Sequence, residues 1–394
     1  MDSFRAPFSA LEYNRRVDLT RAAMDKQGLD VLIVTDPSNI AWLTGYDGWS
    51  FYTHQAVILS HEGAPLWWGR AMDANGAMRT VWMKPEDIVG YPDFFVQSTE
   101  YHPMEHLAGE LAERGIDTGR VGVEMENYYY SAKAHAVFCG QLTKAEVVDA
   151  TALVNWQRLV KSNEELEFMR RAATITDAAV TRALDLAEPG LAKNALVAEI
   201  YDALIRGAGD NWGDYPAIVP MLPSGPDATA PHLTWNGTEL KHGEGTFFEL
   251  SGCFRRYHAP LCRTVFFGTP PEEIATANEV LLEGMDKALE QARAGNRAAD
   301  VAIALAETLE AAGYNRGARC GYPIGLSYPP DWGERTVSLR TTDETILKPG
   351  MCFHFMPGLW MDGWGLETTE SIVITEDGGP ELLCSVPRQL FVKD

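Results

Sequence analysis

In Gly245-Thr-Phe-Phe-Glu249-Leu-Ser-Gly a carboxylate interrupts an apolar strand. An unpaired charge there is costly, so the residue pairs, takes up a proton or does chemistry. A structural ion pair and a catalytic or ligand-pairing carboxylate both satisfy the pattern. His354 breaks the apolar run Cys352-Phe-His-Phe-Met356-Pro in the same way, as a core histidine or as a proton carrier. Glu367 and Glu370 stand three apart before an apolar strand, either solvated or turned toward the same region. His232, in Pro231-His-Leu-Thr-Trp235, lies on an irregular segment of the kind that often carries function. Aromatic residues crowd this half of the chain: Trp212, Trp235, Tyr322, Tyr328, Trp332, Trp360 and Trp364. Several rings beside carboxylates suit a small organic cation, through cation–π contact and charge pairing. There is no GxSxG elbow, no Walker loop, no GxGxxG after a strand and no HExxH.

The elements that must position these groups fall into two sets. Ser9 and Glu12 have capping-box spacing and predict a helix closed by Gly28. Strands follow at Leu29 to Thr35, Gln55 to Leu59, Leu66 to Trp68, Arg120 to Met125 and Glu146 to Val148, with a helix over Met104 to Arg114. This alternation predicts a smaller N-terminal α/β domain over residues 1–158. At Ser162 and Glu165 a second capping box opens a long amphipathic helix, ended by Pro189-Gly190, with another helix over Lys193 to Arg206. Strands at Gly245 to Gly252 and Arg263 to Gly268, helices at Glu272 to Ala292 and Ala298 to Ala312, and strands at Met351 to Phe355 and Ser371 to Thr375 complete the pattern. Helix pairs alternating with strand pairs predict that residues 159–394 form an α+β domain, an antiparallel sheet covered on one face by helices.

With 394 residues the chain exceeds what one hydrophobic core usually supports, which agrees with two domains. The net charge of −22 disfavours nucleic acid and anionic membrane surfaces as partners. No run of apolar residues is long enough to span a bilayer, and Met-Asp-Ser-Phe-Arg does not read as a signal peptide, so a soluble cytoplasmic protein is expected. The six cysteines show neither CxxC pairs nor framework spacing and read as buried thiols in a reducing compartment.

The C-terminal segments resemble, in order, those of the pita-bread fold shared by creatinase, prolidase and methionine aminopeptidase, the M24 family. The matching segments are His232, Glu249-Leu-Ser-Gly through Cys262-Arg263-Thr264, Gly321-Tyr-Pro-Ile-Gly-Leu, and Lys348-Pro-Gly-Met through Met356-Pro-Gly358. The resemblance implies a C-terminal domain built on a curved antiparallel sheet. The peptidases of the family hold two metal ions with two Asp, one His and two Glu. Glu249, Pro260, Tyr322 and Met356 stand at four of those positions here, and the fifth falls at or beside Glu370. Proline, methionine and tyrosine cannot replace hard oxygen or imidazole ligands, so the resemblance points to the metal-free creatinase side, with no cofactor. Trp42-Leu-Thr-Gly-Tyr-Asp-Gly-Trp-Ser-Phe-Tyr52, Trp67-Trp-Gly-Arg70, Val154-Asn-Trp-Gln157, Tyr328-Pro-Pro-Asp-Trp-Gly-Glu334 and Phe355-Met-Pro-Gly-Leu-Trp-Met361 look like the bacterial ectoine-hydrolysing enzymes of that side.

What this implies is metal-independent opening of a cyclic amidine, with ectoine and by extension 5-hydroxyectoine as small-molecule substrate. In that reading Glu249 is nucleophile or general base and His232 the proton shuttle. His354, Glu367 and Glu370 hold the amidine nitrogens. Arg263 or Arg255 pairs the substrate carboxylate, and Tyr322 and Trp360 wall the ring. The creatinase-like enzymes are homodimers in which one subunit closes the site of the other, and Trp49, Phe51 and Tyr52 match the closing region. Creatine-type guanidino hydrolysis, an Xaa-Pro peptidase and a binding-only pseudoenzyme are the alternatives.

Overall fold

The structure is a computed structural model that describes residues 6–315 and 317–394. Two compact units divide the chain, Met1–Arg158 and Leu159–Asp394. In the first, Val31–Val34 (β1), Ala56–Ser60 (β2), Leu66–Arg70 (β3), Ile88–Tyr91 (β4), Gly119–Val123 (β5) and Ala145–Asp149 (β6) form one mixed sheet in the order β4-β3-β2-β1-β5-β6. Its helices are Ala10–Gln27 (α1), Pro37–Thr44 (α2), Ala71–Thr80 (α3), Pro103–Glu113 (α4), Ala132–Gln141 (α5) and Leu153–Arg158 (α6). Leu107 and Leu111 of α4 and Phe138 of α5 pack against Val31, Ile33, Val121 and Val123 of the sheet. Ser9 caps α1 through the Glu12 amide, but the Glu12 carboxylate turns to Arg15 and Arg16, so only half of the expected capping box forms.

The second unit opens at the full capping box. Ser162 Oγ accepts from the Glu165 amide and Glu165 Oε2 from the Ser162 amide, at the head of Asn163–Leu186 (α7). Lys193–Arg206 (α8) follows, then the hairpin of Gly245–Phe254 (β7) and Tyr257–Phe267 (β8), and Glu272–Gln291 (α9) with Ala298–Ala311 (α10). Gly321–Pro323 (β9), Cys352–Phe355 (β10), Gly358–Met361 (β11), Trp364–Glu367 (β12), Glu370–Val373 (β13), Glu381–Leu382 (β14) and Phe391–Lys393 (β15) complete the chain. Strands order as β14-β13-β10-β9, β11-β12 and β15-β8-β7, antiparallel except for the β15–β8 pair.

Because side chains alternate along a strand, each of these sheets has a helix side and an opposite side. On the β7–β8 hairpin, Phe248, Leu250, Phe254, Leu261, Val265 and Phe267 pack against Ala172, Ala179 and Val180 of α7 and Leu196 and Ile200 of α8. Gly252 lets α7 come close, since a Cβ there would lie 2.4 Å from the Ala172 carbonyl oxygen. Phe353, Phe355 and Ile372 of the second sheet pack likewise on Leu281, Met285, Leu305 and Leu309 of α9 and α10. The residues between them in sequence, Glu249 and His354 among them, therefore sit on the sides the helices leave uncovered. Ser371 Oγ donates to the Pro260 carbonyl at 2.8 Å and the Cys262 amide to Thr369 Oγ1 at 2.7 Å, joining the two sheets edge to edge. The hairpin turns through two residues, Arg255 at φ 50° and Arg256 at φ 68°, the left-handed pair that a two-residue loop needs and that Asn-Gly would fill without strain.

Candidate active site

Glu249 faces Cys262 across the β7–β8 ladder, on the side opposite the helices. Burial alone pushes its carboxyl up from 4.5 to about 7. The contrast with Glu124 in the first unit is informative, because that carboxylate is also held near 7 but receives the Thr35 and Asp36 amides and the Asn39 side chain. Glu249 has His354 as its ion-pair neighbour, Nδ1 to Oε1 at 4.0 Å. A carboxyl poised near neutrality beside an imidazole can exchange a proton at working pH or pair with a cation brought to it.

Strand pairing sets the rest. His354 lies between Tyr322 on β9 and Ser371 on β13, and its Nδ1 stands 3.1 Å from Tyr322 Oη. Trp332, fully buried in the loop after β9, donates its indole N–H to the same oxygen at 2.8 Å. The hydroxyl is thus held from one side and set against the imidazole on the other, which fixes the orientation of the His354 ring. Burial and the nearby Glu249 charge push the Tyr322 phenol well above its ordinary value, so it stays a neutral O–H. Trp360 packs with Phe247 and Cys262, which places it on the Glu249 side of the hairpin. Glu367 is tied to the same spot. Its backbone exchanges two hydrogen bonds with Thr264 Oγ1, and its side chain meets the Cys262 thiol, which burial, Glu367 and Glu249 together raise well above its usual range. Glu249, Glu367, His354, Tyr322 and Trp360 are therefore brought together, as their sequence positions suggested.

Other expected site residues go elsewhere. Glu370 pairs with Phe355 on the neighbouring strand, on the side of α9 and α10. Its carboxylate receives Arg263 at 2.8 Å, with both side chains fully buried. Arg263 lies opposite Phe248, on the helix side, one residue out of phase with Cys262. All five of its N–H groups go to protein acceptors: Pro387 O, Cys262 O, Thr369 O, Val386 O and Glu370 Oε1. The pair is a structural clamp, which leaves neither Glu370 turned to an amidine nitrogen nor Arg263 to the substrate carboxylate, as was expected of them. Arg255 stacks over Trp212, itself against Phe254 on the helix side, and so is also turned away. His232, the expected proton shuttle, is exposed, on the stretch after the short 3-10 turn Gly225–Thr229. Its segment runs beside the site strand, since Thr234 bonds Leu222 and Met221 bridges Glu249. Trp49, Phe51 and Tyr52 belong to the first unit, where Trp49 and Tyr52 are exposed and Phe51 packs between Trp49 and Tyr129.

Three residues near the site escaped the sequence reading: Cys262, Trp332 as a hydrogen-bond donor, and His258. Only the strand alternation around Pro260 could have found the first and last. A cavity of about 420 Å³ beside α10, with Leu305, Tyr314, Arg319 and Arg340 in its wall, is separate, and none of Glu249, Tyr322 or His354 lines it.

Residues 167–376 match the metallopeptidase family M24, and residues 16–160 the creatinase/prolidase N-terminal domain. The chain belongs to the creatinase-like M24 family. Within it, an ectoine hydrolase of Halomonas elongata is 56% identical over 98% of both chains. An uncharacterised hydrolase/peptidase of Sinorhizobium fredii is 40% identical, over 98% of this chain and 99% of its own. The crystal structure of a prolidase from Thermococcus sibiricus superposes with a TM-score of 0.84 at 20% identity, over 98% of this chain and all of that one, a likeness of fold. The M24 peptidases imply a metal pair, but Pro260, Tyr322 and Met356 offer no ligand set for it. Among the described residues no group of three or more His, Cys, Asp or Glu could hold a metal ion. No helix among them is long and apolar enough to cross a membrane.

Proposed function

We propose that this protein is a hydrolase that opens the cyclic amidine ring of ectoine to an N-acetyl-2,4-diaminobutyrate without a metal ion. The observation that carries the reading is the 56% identity to the Halomonas ectoine hydrolase along essentially the whole of both chains. The site agrees chemically. A protonated cyclic amidine is a planar cation with two N–H groups, matched by carboxylates as guanidinium is. Glu249 and Glu367 converge on Cys262, with Tyr322 and Trp360 as aromatic walls. Glu249 delivers oxygen to the central amidine carbon, as nucleophile or by deprotonating water. The His354–Tyr322 pair returns a proton to one ring nitrogen, and breaking that C–N bond consumes one water overall. His232 joins as shuttle only through movement of its exposed segment. Hydroxyectoine is accepted on the same amidine chemistry. The protein works in the cytoplasm as a homodimer, with exposed Trp49 and Tyr52 contributing to closure of the partner's site.

The decisive experiment incubates purified protein with ectoine, 5-hydroxyectoine and creatine, with and without a chelator, and follows products by NMR. Chelator-resistant conversion of ectoine is expected. Loss of turnover on chelation, restored by a divalent ion, would refute the metal-free part, and turnover of creatine alone would refute the substrate. The acid limb of the pH profile is a further expected result. Glu249 acts as a carboxylate and its pKa is raised to about 7, so kcat/KM should climb with pH through about 7 and level off above it. A profile flat from pH 5 to 8 would exclude Glu249 as the titrating base.

A further inference from the structure

The cavity of about 420 Å³ beside α10 has a floor and a rim of different chemistry. Leu305 and Leu309, both buried, form the floor, with Tyr314 beside them. Glu310, Arg319 and Arg340 stand around it with their side chains open to solvent. Among the described residues, none of these three has an oppositely charged side chain at ion-pair distance. Arg319 instead lays its guanidinium 4.5 Å from the centroid of the Tyr322 ring. Arg340 acts on Asp343 from further off, and the oxygens of that carboxylate are already held by the Ser338 and Thr345 amides. Solvated charges are ordinary on a protein surface. What sets these apart is the shared apolar floor, since a few convergent polar groups over aliphatic surface is the layout of a small-molecule site.

The charge pattern defines the ligand. Two guanidinium groups suit a carboxylate, which they can bind with paired N–H donors. Glu310 lies in the last turn of α10, which carries no basic residue, and the C-terminal end of a helix favours a cation. An ammonium group therefore belongs there. A dianion would be repelled by Glu310, and an amine without a carboxylate would meet two arginines. We infer that this cavity binds a small zwitterionic α-amino acid, its carboxylate on Arg319 and Arg340, its ammonium on Glu310 and a short aliphatic side chain on Leu305 and Leu309. The site goes beyond the ectoine reading and stands without it. Arg319 is also shared with Tyr322 of the active site. A carboxylate that engages the guanidinium competes with the ring for it, so occupancy of the cavity reaches Tyr322 without touching Glu249.

The test is isothermal titration calorimetry on the full chain with 2-aminobutyrate, with butyrate, which lacks the ammonium, and with propylamine, which lacks the carboxylate. 2-Aminobutyrate should bind, and each truncated ligand should bind roughly tenfold more weakly, having given up one charge-assisted contact. Arg340→Gln should weaken 2-aminobutyrate by a similar factor, and Glu310→Gln should bring it down to the level of butyrate. Neither residue is part of the active site, and melting curves confirm that both variants fold. No heat with 2-aminobutyrate, equal binding of all three ligands, or unchanged binding in both variants would overturn the assignment and return the rim charges to solvent. Binding that is lost in Glu249→Gln but kept in Arg340→Gln would seat the amino acid in the active site and overturn it as well. One kinetic arm rests on the ectoine reading: saturating 2-aminobutyrate should lower kcat for ectoine at unchanged KM. An unaltered kcat would overturn the link through Arg319. A wild type that turns over no ectoine would sink the ectoine reading alone, because the calorimetry does not depend on it.

Discussion

Glu249→Gln is expected to lower ectoine turnover by at least about 10³-fold and at the same time to make the protein more stable above neutral pH. The first effect follows from replacing the carboxylate that faces His354 with an amide that neither attacks nor takes a proton. The second follows from linkage. A carboxyl whose folded value is about 7 against an ordinary 4.5 prefers its acid form in the native state. The native state therefore carries no penalty below about pH 4.5, loses stability as pH rises through the interval, and bears the full cost above 7. That cost is up to about 3 kcal/mol, and an uncharged isostere removes it. Melting curves of the two proteins should coincide near pH 4.5 and separate by several degrees at pH 8, with the variant higher. An inactive variant that is also less stable at pH 8 would mean that Glu249 holds the fold together and is not a strained site residue.

Arg263→Ala is expected to cost about 3–5 kcal/mol, because it leaves the Glu370 carboxylate buried with only Arg388 at 3.8 Å. It also removes the donors for the carbonyls of Cys262, Thr369, Val386 and Pro387 at the seam between the two sheets. Urea titration should show the transition at much lower concentration, or the variant should fail to accumulate folded. A double replacement, Arg263→Met with Glu370→Met, should recover a large part of the loss, since an apolar pair of similar volume avoids burying charge altogether. A single variant with wild-type stability and weakened ectoine binding would restore the arginine to the substrate.

These two predictions mark where sequence reading reached its limit. The elements were legible: Ser162 and Glu165 form the capping box, and Glu249 and His354 sit in strands where apolar runs placed them. The side of the sheet was not legible. Whether Arg263 or Cys262 shares a face with Glu249 depends on a register shift of one residue, and Pro260 made the first half of β8 read as loop, so the strand appeared to start at Arg263. Proline is tolerated there because β15 pairs only with Val265, Phe266 and Phe267, leaving that flank of β8 open at Pro260 for the Ser371 hydroxyl. His258, two residues further back, was hidden for the same reason. Glu370 followed Arg263 onto the wrong face, since the family pattern left its register open by one. His232 was matched to the family's shuttle by its place in the pattern alone, and nothing in Pro-His-Leu-Thr-Trp could have revealed its exposure.

An engineer seeking a hardier form of this enzyme would start at the β7–β8 turn, where two arginines hold a backbone geometry that favours Asn-Gly and costs about 1 kcal/mol for each ordinary residue. Only one of the two positions is open to that improvement. Arg255 leans on Trp212 at the outside and can be exchanged with little consequence for selectivity. At Arg256 the relaxed turn would give up the stacking of its guanidinium on Tyr215 and its pairing with Asp214. A gain in heat tolerance is thus expected from the first position alone, and a mutant library spanning both would enrich replacements at Arg255 while keeping the arginine beside it.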